Sequence, residues 1–110
     1  MAFDEGVAER LRDLFRDKVI AVSEKKMFGG LAFMLDGYMF VGIVKEKLMA
    51  RVGPANYLEA LNEPHSAEMD FTGKPMKGYV YVSPEGFESD QDLERWVMLC
   101  INFISTLPPK

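Results

Sequence analysis

Residues 31–44, reading LAFMLDGYMFVGIV, are apolar at almost every position on either side of an Asp36-Gly37 pair. Asp-Gly between two apolar runs is a two-residue hairpin turn, so the stretch predicts two antiparallel strands. A hairpin with one face in water alternates apolar with polar positions, and one that does not alternate is expected to be covered on both faces. A small domain covers only one face easily with its own helices. The other face then falls to a further helix, a second copy of the chain or a different partner, and an interaction surface is the expectation.

Around this hairpin the pattern predicts a helix over residues 4–16, where Val7, Leu11, Leu14 and Phe15 recur at helical spacing and Asp4 can cap the first turn. Residues 18–27 join VIAV to the polar SEKK and read as an edge strand. A third strand of the hairpin sheet follows over residues 47–52, and Gly53-Pro54 opens a short helix over residues 54–61. Residues 65–77 are mixed, with Thr72-Gly73-Lys74-Pro75 as a turn, and a strand runs over residues 78–83. Ser89 with Asp92 three positions later starts a last helix, whose stripe is Leu93, Trp96, Val97, Cys100, Ile101, Ile104 and Leu107.

Register follows from the turns. A two-residue loop pairs Leu35 with Tyr38, Phe33 with Phe40 and Leu31 with Gly42, which puts Leu31, Phe33, Leu35, Tyr38 and Phe40 on one face. Ala32, Met34, Met39, Val41 and Ile43 take the other. A second two-residue turn at Lys45-Glu46 pairs Ile43 with Leu48, Val41 with Ala50 and Gly42 with Met49. The third strand alternates, so Leu48, Ala50 and Val52 mark the core face, while Lys47 and Arg51 mark the outside together with the aromatic rings. A one-residue bulge at Lys45-Glu46 would exchange the two faces.

Length and composition narrow the class. The 110 residues fit one domain, and 48% apolar with 27% charged residues is ordinary globular composition. A formal net charge of -4 works against nonspecific attraction to DNA, which depends on neutralising phosphates. The single cysteine, Cys100, allows no internal disulfide and suits a reducing compartment. No apolar run approaches a membrane span, and the first residues are acidic where a signal peptide is basic, so the expectation is a cytoplasmic protein without membrane contact.

The segments MFGGLAFMLDGYMFVGIV, LMARVGP, MDFTGKPMKGYVYV and LPPK, in this order and spacing, resemble the TfoX N-terminal domain family from Met27 to Lys110. That family is bacterial and takes its name from TfoX/Sxy, regulators of natural competence. The resemblance implies an α/β fold of the α+β type, similar to secretion chaperones. It is a two-layer sandwich with a mainly antiparallel sheet, in the order helix, three or four strands, helix, two strands, helix.

Candidate chemistry is sparse. His65 is the only histidine, follows a helix-ending proline, and reads as a turn or packing residue. Cys100 lies in the apolar stripe of the last helix and reads as a small hydrophobe. The MFGG glycines lack any nucleotide-loop pattern. Glu68 and Asp70 lie two apart and read as solvated edge charges. Neither a catalytic set, a metal site nor a cofactor is expected. The candidate interaction surface comprises Phe33, Tyr38, Phe40, Met49 and Arg51 on the outer sheet face, joined by Lys74 and Lys77. Aromatic rings beside cations suit single-stranded nucleic acid, but rings, Arg and Met are also the residues of protein interfaces, and the net charge favours the latter. The expectation is therefore a noncatalytic regulatory or adaptor domain working through protein contacts, preferentially as a homodimer, with nucleic-acid binding as the alternative.

Overall fold

The computed structural model describes residues 3–27, 29–70 and 75–108. Within them the chain forms α1 (Glu5–Asp17), β1 (Ser23–Met27), β2 (Gly30–Leu35), β3 (Tyr38–Val44) and β4 (Lys47–Arg51). A 3-10 turn (Pro54–Asn56) leads into α2 (Tyr57–Leu61), followed by β5 (Ser66–Asp70), β6 (Pro75–Val82), a second 3-10 turn (Pro84–Phe87) and α3 (Asp90–Ile104). All strand pairs are antiparallel, in the order β1-β2-β3-β4-β6-β5, and the helices pack on one face of this sheet. The result is an α+β fold in two layers.

Both long helices begin where the sequence provides a cap. The Asp4 carboxylate accepts hydrogen bonds from the backbone N–H groups of Gly6 and Val7, and the Ser89 hydroxyl accepts one from Asp92. α1 then buries Val7, Ala8, Leu11 and Phe15, and α3 buries Leu93, Trp96, Val97, Cys100 and Ile104. These side chains close over Val41, Ile43, Leu48, Ala50, Val52, Val80 and Val82 from the sheet. The indole N–H of Trp96 donates to the Gly86 carbonyl, so the largest buried side chain carries no unpaired polar atom.

The strand expected over residues 18–27 is shorter than its apolar start suggested. Ile20 N–H donates to the Phe15 carbonyl and Val19 N–H to that of Arg16, the pair of bonds that ends a helix in a Schellman motif. VIAV is thus largely spent on terminating α1, and only the polar Ser23–Met27 pairs in the sheet, as an exposed edge.

The hairpin register holds at its tip and then slips. Asp36 and Gly37 both have positive φ, as the two-residue turn demands, and Leu35 faces Tyr38. Met34 then pairs with Met39, but Phe33 pairs with Val41 and Leu31 with Ile43. Phe40 is an extra residue in β3, a bulge that turns the remainder of the strand over by one position. The expectation that Phe33 and Phe40 lie on an open outer face is therefore overturned. Both rings are fully buried under the helices, packed on Phe15 with centroids 5.3 and 5.5 Å away. Leu31 joins them, and Leu35 and Tyr38 pack half-buried on the same cluster. The β3–β4 turn carries no bulge, and Ile43–Leu48, Val41–Ala50 and Gly42–Met49 pair as the turn geometry requires.

Candidate docking surface on the helix-free sheet face

With the bulge in place, alternation assigns the second face of the sheet to a different set of side chains. A separate apolar cluster there is made of Ala32, Met39, Met49 and Met69, with Met27, Met34, Val44, Tyr79 and Tyr81 half-buried around them. None of its members comes from a helix. Five methionines thus lie on one sheet face while branched and aromatic side chains fill the other. Gly42 makes room for them at the centre: a Cβ there would fall 2.3 Å from the Met49 Cε and 2.8 Å from the Leu31 carbonyl oxygen.

Among the described residues of β1, β3 and β4, the charged side chains on this face are all cations. The outward positions set by strand pairing include Lys25 opposite Ala32, Lys47 opposite Val44, and Arg51 opposite Tyr79. The carboxylate of β1, on Glu24, points to the helix side instead, where Arg12 of α1 holds it at 2.7 and 2.8 Å. That pairing keeps the Glu24 carboxyl below its ordinary range. Lys47 lies over the Tyr81 ring at 5.6 Å from its centroid, and Arg51 over that of Tyr79 at 5.4 Å.

Arg51 stands at the rim, where the end of β4 meets the last turns of α3. Its guanidinium carbon lies 5.7 Å from the Tyr38 ring centroid and 5.4 Å from that of Phe103, in addition to Tyr79. Gly53, at φ 88°, lets Phe103 come this close, since a Cβ at that position would fall 2.4 Å from the ring. The Tyr38 hydroxyl donates to the carbonyl of Pro108, which ties the segment after α3 to the same corner.

The predicted surface residues therefore divide. Met49 and Arg51 share the helix-free face, although Met49 is fully covered by its neighbours. Tyr38 contributes its ring to Arg51 from the helix side of the sheet, and Phe33 and Phe40 contribute nothing to this face. Lys77 is exposed, and Lys74 lies outside the described residues. Ala32, Met34 and Met39, expected on the core face with Val41 and Ile43, lie on the helix-free face instead, and Met27, Met69 and Lys25 were not among the expected surface residues. The shared spacing of these methionines with Met49 becomes visible only once Phe40 is skipped in the register.

The other chemical candidates stay apart. His65 is exposed in a turn at φ 68°, its carbonyl accepting from Ser83 N–H. Cys100 is fully buried, and burial pushes its thiol well above the ordinary range, a backbone hydrogen bond from Arg51 offsetting only part of the effect. Glu68 is exposed on β5. Among the described residues no three His, Cys, Asp or Glu side chains gather as metal ligands, and no helix is long and apolar enough to cross a membrane.

Compared with known proteins, residues 13–104 match the family model of the TfoX N-terminal domain. Comparison with curated proteins and with solved structures finds no match.

Proposed function

Because the chain belongs to the TfoX N-terminal domain family, we propose that it is a competence-related regulatory domain of the cytoplasm, acting without catalysis by holding a protein partner on the helix-free face of its sheet. The observation that carries this reading is the composition of that face: five methionines and two tyrosines, edged by Lys25, Lys47 and Arg51. Methionine side chains adapt their shape to a partner at little conformational cost, and cations beside apolar groups give such a contact direction.

Single-stranded nucleic acid is the alternative favoured by the same cations and the two tyrosines. Stacking needs a free ring face, however, and the chain's own Lys47 and Arg51 already lie over Tyr81 and Tyr79. Homodimerisation through this face is disfavoured by charge. Two copies laid face to face would bring Lys25, Lys47 and Arg51 of each towards those of the other, and like charges across an interface are costly.

The test replaces the gene in its native bacterium with Met27→Glu or Met34→Glu, half-exposed positions on the face. Purified variants are first checked for native circular dichroism and melting. Transformation frequency should then change as it does on deletion of the gene. Deletion without effect on DNA uptake would remove the competence role, and folded variants that behave as wild type would remove the docking face.

A further inference from the structure

We infer that Arg51 is the anchor of this face and that the partner segment it receives is an acidic amphipathic stretch of protein, one carboxylate seated on the guanidinium and apolar side chains laid over the methionines. The inference rests on the docking reading above and gives it a ligand chemistry.

Of the five arginines in the chain, four have a carboxylate within 4.0 Å. Arg10 meets Asp90, Arg12 meets Glu5, Glu9 and Glu24, Arg16 meets Asp13, and Arg95 meets Glu63 and Asp92. Arg51 has none among the described residues, in a chain with 17 acidic side chains. Its hydrogen bonding is correspondingly thin: Nη1 donates to the Met39 carbonyl at 3.3 Å. A guanidinium offers five N–H donors in a rigid plane suited to bidentate pairing with a carboxylate. Three rings fix the position of that plane without using its donors. A half-buried cation that is positioned yet has no carboxylate among the described residues has donors to spare, and a partner's carboxylate would use them.

The surroundings select among anions. Lys25 and Lys47 extend the positive edge, and a carboxylate-rich segment finds no acidic side chain at the outward positions of β1, β3, β4 and β6 to repel it. Between the cations the surface is methionine and half-exposed tyrosine, which accepts leucine-like side chains more readily than bases whose stacking partners are already capped. Among the described residues of β1, β3 and β4, a second copy offers this face only cations.

The experiment observes the intact chain with 13C-labelled methionine methyl groups by NMR. Four additions are compared: an amphipathic helical peptide of Leu, Ala and Glu, its counterpart with Gln for every Glu, an oligothymidylate strand, and more of the protein itself. The Glu peptide should shift Met27, Met34 and Met39 and leave Met98 on α3 in place, and the Gln peptide should bind about tenfold more weakly, as expected for loss of charge-assisted pairing. R51Q should weaken the Glu peptide by a similar factor, with R51K restoring only part of it because an ammonium cannot pair in bidentate fashion. Lys47→Glu, at an exposed position, provides an independent variant should Arg51 prove necessary for folding, and it too should weaken the Glu peptide. Equal binding of both peptides, or of R51Q and Lys47→Glu as wild type, would overturn the anchor while leaving the docking face standing. Methionine shifts caused by the oligonucleotide alone, or by added protein alone, would replace the acidic segment with nucleic acid or a second copy. No shift with any addition would remove the docking reading itself.

Discussion

Replacing Val19 with glycine should make this protein more stable although it deletes an apolar side chain. Val19 is the residue just past the α1 cap, at φ 55°, where the Schellman motif requires left-handed backbone and most helices use glycine. An L-residue in this conformation loses roughly 1–2 kcal/mol to the clash of Cβ with the following carbonyl, and a β-branched one belongs at the upper end. Nothing offsets this, because the side chain is 90% exposed. Glycine removes the clash but adds about 0.5–1 kcal/mol of backbone freedom to the unfolded chain. The net expectation for Val19→Gly is a gain of about 0.5–1 kcal/mol. At a urea slope of about 1–3 kcal/mol per molar that moves the midpoint up by a few tenths molar, and the melting temperature by about 2–5 °C. Val19→Ala keeps Cβ and most of the penalty, so its gain should be clearly smaller. Equilibrium urea unfolding of the three proteins side by side is sufficient. A glycine variant no more stable than wild type, or an alanine variant that gains as much, would refute the left-handed assignment and the energetic argument together.

Two further perturbations examine the layers on either side of the sheet. Phe40→Ala should cost about 3–5 kcal/mol in urea unfolding, as for any fully buried ring, whereas Met34→Ala on the half-exposed face should cost less than about 1 kcal/mol; the opposite ranking would restore the aromatic face to the outside. Glu24→Gln should remove the hydrogen bonds that Arg12 donates at 2.7 and 2.8 Å, and because both side chains are partly exposed the loss is about 0.2–1 kcal/mol at neutral pH. Its pH dependence has a fixed sign: the native carboxyl titrates below its ordinary 4.5, so the contribution is complete above that value and disappears as pH falls through the native pKa. Unfolding measured from pH 7 to pH 3 should therefore show wild type and Glu24→Gln converging in acid, and a gap that widens instead would contradict the pairing.

The fold class was legible in the sequence because its signals are local. Asp4 and Ser89 announce their helices by side-chain chemistry acting within one turn, and Asp36-Gly37 specifies its hairpin by backbone preference alone. Face assignment is not local. It depends on a count of residues from the turn, and one inserted residue at Phe40 inverts everything beyond it. No glycine or proline marks that bulge. What holds it is tertiary: with Phe40 turned inwards, its ring meets Phe15 of α1, a residue distant in sequence that no local pattern around Phe40 announces. Lys47 and Arg51 of β4 were placed together opposite the core face because β4 alternates and its turn to β3 carries no insertion. The same count applied to β2 and β3 gave the wrong aromatic surface.

The bulge also answers why this hairpin avoids alternation. Without it, β3 would present Met39, Val41 and Ile43 to one side and Phe40 with Gly42 to the other, which mixes flexible and rigid side chains on both faces. With Phe40 inserted, Phe40, Val41 and Ile43 turn together towards the helices, and Met39 is left with Met34 and Met49 on the opposite side. Sorting of this kind has different consequences for the two layers. Branched and aromatic side chains have few rotamers and fix the helices to the sheet, whereas methionines fill their own gaps in the absence of a covering helix and rearrange at small cost. Burial of Met49 and Met69 without any helix above them follows from that adaptability. Substitutions at the partly buried Met27 and Met34 should accordingly be absorbed by the fold and, on the docking function proposed above, be felt in binding, whereas Phe40 on the helix side answers to denaturant.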